Sequence, residues 1–170
     1  MPNYCWYSMK VVGQKDDCEA FVDRLINYDS PNHFWRIFCA NVDGREDEGE
    51  VVSLYITGDC AWSLETCCRA SGYSNGVDLF SINTEDLNLK MEAYSREPGM
   101  CFEEHYIYDN GECVVDQCEE IDVYWWDRDE YPTYKEFAED HPSAPPECYF
   151  DDTDEVVTGG FGGDFERWHI

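Results

Sequence analysis

The order of elements legible in this chain predicts an α+β domain: a ferredoxin-like split βαβ antiparallel sheet with an added C-terminal β-hairpin or meander and a short helix. Three observations predict it. A strand pattern at Tyr4–Val12 runs straight into an amphipathic helix. A hairpin, a second helical stretch and a fourth strand then complete the order βαββαβ. Beyond these, Asp109-Asn110-Gly111 joins two further strands through the strongest short hairpin signal a sequence can carry.

Tyr4 to Val12 is aromatic and β-branched, and Gly13 stops it. Cys18, Phe21, Val22, Leu25 and Ile26 then repeat at helical spacing. Asp16, Asp17 and Glu19 occupy the first turn, where negative charge complements the helix dipole, and Asp29-Ser30-Pro31 ends the run. Arg36–Val42 and Val51–Thr57 read as paired strands around a charged loop, Asp43 to Glu50, which predicts a hairpin with a long acidic tip. Ala61 to Leu87 reads as helix broken at Ser71–Gly76. Leu87–Ser95 alternates as a half-buried strand with Glu92 and Tyr94 on its polar side, and Glu97-Pro98-Gly99 turns it. Cys101–Tyr108 and Glu112–Val123 form the added hairpin, and Thr133 with Glu136 makes a capping box for a short helix ending before His141-Pro142. Residues 1–125 are thus the expected core, and 126–170 an acidic, aromatic-rich extension packed on the same domain.

Composition narrows function. Asp and Glu number 38 against 11 Lys and Arg, a net charge of −27, while 43% of residues are hydrophobic and 16% aromatic. Such a chain folds despite its charge, and its surface repels phosphate, so direct nucleic-acid binding is disfavoured. No apolar run reaches the ~18 residues of a membrane span, and the first residues lack a signal-peptide pattern. A soluble cytoplasmic protein of a bacterial host cell is the expectation. The ten cysteines then read as reduced thiols. Zinc would need two close pairs, and only Cys113 and Cys118 approach that spacing, so no cofactor is expected.

A set of short motifs adds to this. Met1-Pro2-Asn3-Tyr4-Cys5, Gly58-Asp59-Cys60-Ala61-Trp62-Ser63, Tyr94-Ser95-Arg96-Glu97-Pro98-Gly99, Glu103-Glu104-His105-Tyr106 and Asn110-Gly111-Glu112 occur in this order. Together they resemble the YubB ferredoxin-like domain proteins of phages and plasmids over residues 1–125. The resemblance implies a mobile-element protein acting inside a bacterial cell, and it brings no catalytic residues. The residues beyond 125 are more acidic than that family leads one to expect.

The charge is unevenly placed. Residues 103–155 hold 19 acids and two bases, a net −17. Duplex DNA carries one charge per ~1.7 Å, so this equals about 29 Å of duplex, against a radius of gyration of about 15 Å for such a domain. Solubility needs a net charge of only about 2–8. The acids also interleave with large aromatics, as interface cores do. The expected partner surface comprises Asp43, Glu46, Asp47 and Glu48 at the first hairpin; Glu119, Glu120 and Asp122 on the last strand; and Trp125, Trp126, Asp127, Asp129, Glu130, Asp151, Asp152, Asp154 and Glu155 beyond it. The expected partner is a basic nucleic-acid-binding protein, such as a CRISPR effector nuclease, inhibited by an acidic DNA-mimicking protein that is not an enzyme.

Catalytic patterns are sparse. There is no P-loop and no Gly-x-Ser-x-Gly. Glu103 and His105 share a strand face and suit an acid–base pair, although a solvated polar row explains them as well. Asp127/Asp129/Glu130 and Asp151/Asp152/Asp154/Glu155 lack EF-hand spacing. A small metal-binding or hydrolytic domain, or a self-assembling phage accessory protein, is the alternative.

Overall fold

Tyr4–Gln14 forms β1, and its period-two burial puts Cys5, Tyr7, Met9 and Val11 on one face. In the computed structural model, residues 4–30, 32–34, 36–69, 79–150, 153–162 and 165–170 are described. The Ser71–Gly76 break, Pro31, Asp151 and Asp152 lie outside them. Helix α1 (Lys15–Ile26) follows β1 and buries Cys18, Phe21, Arg24 and Leu25, with Asp16 and Asp17 in its first turn. Then come β2 (Ile37–Glu48), β3 (Val51–Ala61), a π-helical turn at Glu65–Arg69, α2 (Leu79–Thr84), β4 (Leu89–Glu97), β5 (Phe102–Asp109), β6 (Glu112–Trp125), α3 (Tyr134–Asp140), a 3-10 turn at Glu147–Phe150 and β7 (Glu155–Gly159).

The expectation of a ferredoxin-like α+β domain is corrected here. All seven strands join one antiparallel sheet in the order β2-β3-β1-β4-β5-β6-β7, curled into a half-barrel. The helical layer a ferredoxin-like plan requires is largely replaced by sheet. Between β3 and β4 the described residues supply one five-residue π-turn and the six-residue α2, where the sequence predicts a long broken helix. β-Bulges supply one reason for the curl. The β2–β3 register slips at Ile37/Cys39 and at Val42/Gly44, and β5–β6 slips at Ile107/Tyr108. Each extra residue bends its strand and increases its twist.

The first hairpin also differs from its reading. Asp43 to Glu48 is not a loop tip but the exposed half of β2, and the connection shrinks to Gly49-Glu50. Charge density and the two glycines, Gly44 and Gly49, gave the loop reading, and charged side chains suit an exposed edge strand because they deter pairing with another chain. The second hairpin turns through Asn110 (φ 49°) and Gly111 (φ 81°), the left-handed pair its motif demands.

The main core lies on the helix-bearing face, where β1 and β3 residues such as Met9, Leu54 and Ile56 meet Phe21, Phe34, Leu64 and Phe80. Gly58, opposite Tyr7 in the β1–β3 register, lets these strands close over the aromatic ring. A Cβ there would enter both the Tyr7 hydroxyl and the Cys39 carbonyl that it donates to at 2.7 Å. Gly58→Ala is therefore expected to cost about 3 kcal/mol, read as a lower urea midpoint at constant slope. Gly49→Ala, with φ 71° but open space around it, is expected to cost only about 1 kcal/mol.

A second, smaller core gathers Trp126, Phe137, Phe150 and Val156. The far half of β6 (Ile121–Trp125) pairs with β7, and α3 closes the unit with its Thr133–Glu136 capping box.

Candidate functional site

Even positions of β1 and β4, odd positions of β5, and odd positions of β6 from Val115 onward point to the sheet face opposite the helices. Register places Ser8 against Tyr94, Tyr94 against His105, and His105 against Gln117, a polar row crossing four strands. Lys10 stands against Glu92 in the neighbouring row. Solvent does not cover this face. Residues 160–162 and 165–170 fold over it: Phe165 packs beside Trp6 and Tyr94, Trp168 beside Tyr55, and Lys10 Nζ donates to the Ile170 carbonyl at 2.5 Å.

Glu92 is the centre of this layer and is fully buried. Its Oε1 lies 2.8 Å from His105 Nε2 and 2.7 Å from His169 Nδ1. Its Oε2 accepts the backbone N–H of His169 at 2.5 Å and of Ile170 at 3.2 Å. Burial works to raise this carboxyl, but the hydrogen bonds from His105 and His169 outweigh it and hold the pKa at about 2. The His105 ring stacks on Tyr94 (4.2 Å, 5°), and its Nδ1 meets Gln117 Oε1 at 3.2 Å. Among the described residues, Glu92, His105 and His169 are the one group of three whose donor atoms all lie within 4.8 Å of each other, as a metal ion requires. A cavity of about 810 Å³ opens beside them.

Sequence reasoning offered Glu103 as an acid–base partner for His105, or a solvated polar row; both side chains are buried, and the carboxylate that meets His105 is Glu92. Glu103 shares its face, as expected, but accepts from Arg96 Nε at 2.7 Å and the Phe161 N–H at 2.8 Å. Glu104, on the core side, receives the N–H groups of Leu64 and Glu65 and the Tyr106 and Ser95 hydroxyls, and burial raises its carboxyl. Glu104 thereby caps the turn after β3. The Cys113–Cys118 pair does not make a zinc site, because the β5 partners of the two residues, Tyr108 and Glu104, stand four strand positions apart, about 13 Å. None of the ten cysteines is in a disulfide.

No family model, curated protein or solved structure matches this chain. Resemblance to the YubB proteins thus rests on the short motifs alone. No helix among the described residues is long and apolar enough to cross a membrane.

The acidic residues fall into two groups at opposite ends of the strand order. Asp43, Glu46, Asp47 and Glu48 line the exposed β2 edge, where Asp47 pairs with Arg45 at 2.7 Å. Glu119, Glu120 and Asp122 are exposed on β6, and Asp127, Asp129, Glu130 and Asp154 are exposed around the small core. Glu155 is half-buried. The two tryptophans separate: Trp125 is 60% exposed, whereas Trp126 is 4% exposed and donates to the Tyr131 carbonyl at 2.8 Å. Trp126 is therefore a core residue, and only Trp125 is presented outward. Asp127 accepts from the Asp129 N–H at 2.9 Å, and Asp154 pairs with Arg128 at 2.9 Å, so these carboxylates build a turn and a strut.

Proposed function

We propose that this protein is a non-catalytic binding protein whose β6–β7 end occupies the nucleic-acid channel of a basic protein, as an anti-CRISPR-like DNA mimic made by a mobile element in the bacterial cytoplasm. One observation carries the reading: residues 103–155 have a net charge of −17, with Arg128 and Lys135 their only Lys or Arg, and the exposed acids Glu119, Glu120, Asp122, Asp127, Asp129, Glu130 and Asp154 stand on β6 and around a small aromatic core. Arg128 is already used, stacked on Trp126 at 4.0 Å and paired with Asp154. Carboxylates held this way stand in for phosphates against Lys and Arg, and the exposed Trp125 adds a desolvated anchor. The β2 acids act first as an edge guard.

The test is direct binding to a panel of purified CRISPR effector nucleases. The expected result is capture of at least one at low ionic strength, displacement by its guide and target strands, and weakening as salt rises. Binding that coexists with bound guide and target overturns the channel-occupying reading. Absence of binding across the panel overturns the choice of partner.

A further inference from the structure

We infer that Glu92, His105 and His169 form a binding site for a first-row divalent transition metal, with its open coordination position facing the adjoining cavity. Two imidazoles and one carboxylate are a donor set that zinc and iron(II) both accept. Their donor atoms already lie within 4.8 Å of each other, with Glu92 and His105 buried. The three donor atoms already converge: Glu92 Oε1 meets His105 Nε2 at 2.8 Å and His169 Nδ1 at 2.7 Å. Gln117 Oε1, 3.2 Å from His105 Nδ1, suits a hydrogen bond from that nitrogen, which leaves Nε2 as the nitrogen to coordinate. A metal ion takes the place of the protons shared with Glu92 Oε1, and its binding releases them.

The surroundings fit. Gln117 fixes the tautomer, and stacking on Tyr94 fixes the ring plane, the role that outer partners play at metal-bound histidines. Glu92 Oε2 is taken by the N–H groups of His169 and Ile170, which leaves Oε1 to bind the metal. Bonds of about 2.0–2.2 Å in tetrahedral geometry place ligand atoms roughly 3.3 Å apart. Opening the present contacts of 2.7 and 2.8 Å by about half an ångström meets that. His169 sits outside any helix or strand, so its segment can make the adjustment. The cavity of about 810 Å³ then offers the remaining position to water or to a small ligand, with Phe161 and Arg167 on its wall.

Cobalt(II) tests this and separates it from adventitious thiol binding by the ten cysteines. Chelator-treated, reduced protein is titrated with cobalt(II) and followed by visible absorption. The expected result is one equivalent bound, with ligand-field bands and no thiolate-to-cobalt charge transfer, displaced by one equivalent of zinc(II). His169→Ala, whose side chain is half exposed, is expected to weaken binding by at least about 100-fold, and Gln117→Ala by about 10-fold. Circular dichroism confirms that both variants fold. Cys118→Ser is expected to change nothing. No stoichiometric binding by the folded protein, a thiolate band, or unchanged affinity in both His169→Ala and Gln117→Ala overturns the site.

Discussion

Phe137→Ala is expected to unfold the small core by itself, at a cost of about 3–5 kcal/mol, while the main sheet stays folded. Phe137 is fully buried and is the hub of the unit. Its ring lies 4.4 Å from His141, 5.6 Å from Phe150, 5.8 Å from Tyr131 and 6.2 Å from Trp126. The remaining buried members, Trp126, Phe150 and Val156, have too little apolar area to close the cavity left behind. The unit joins the sheet through the pairing of Ile121–Trp125 with β7, whereas Glu112–Glu120 pairs independently with β5. A local opening is therefore the path of least cost. Near-ultraviolet circular dichroism and tryptophan fluorescence should report loss of Trp126 packing, with amide protection kept in β1, β3 and β4. Binding to the basic partner should fall with it, because Asp127, Asp129, Glu130 and Asp154 lose their mounting. A single cooperative transition, with protection lost everywhere at once, would show that the two cores are one unit.

What the sequence made legible was local. The Cys18/Phe21/Leu25 spacing, the Asn110-Gly111 turn and the Thr133–Glu136 box each state their structure within a few residues, and each is found. The fold class failed because it depended on the region between β3 and β4, where apolar spacing alone does not say how much helix forms. Strand β7 was missed since Val156-Val157 is a very short apolar run among acids and glycines. The Glu92 site was hidden for a related reason. Alternation in β4 identifies its apolar face but not what covers the other one, so Glu92 and Tyr94 read as solvated. The signal that was present is the aromatic series Phe161, Phe165 and Trp168, which needs a surface to cover. Only the distant register of β1, β4 and β5 reveals that surface.

Reversing four acids at the β6 end is expected to weaken partner binding by about 100-fold, whereas four reversals at the β2 edge should change it less than about fivefold. The first set is Glu119, Glu120, Asp122 and Glu130, each to Lys; the second is Asp43, Glu46, Asp47 and Glu48. Each set shifts the net charge of −27 by the same amount, to −19. Any effect of overall charge on encounter is therefore common to both, and the difference isolates position. Exposed pairs contribute about 0.2–1 kcal/mol each, and like charges brought together against a basic channel add a penalty of several kcal/mol. Four such exchanges comfortably exceed the ~2.7 kcal/mol that 100-fold represents. Unfolding does not mimic this result, since removing carboxylates from a self-repelling surface relieves strain on the folded state. Asp127 is left intact because its carboxylate holds the Asp129 and Glu130 N–H groups of the turn. Equal losses from the two sets would mean that charge acts at long range without a defined contact surface. Full binding by the β6 variant would remove the DNA-mimic reading altogether.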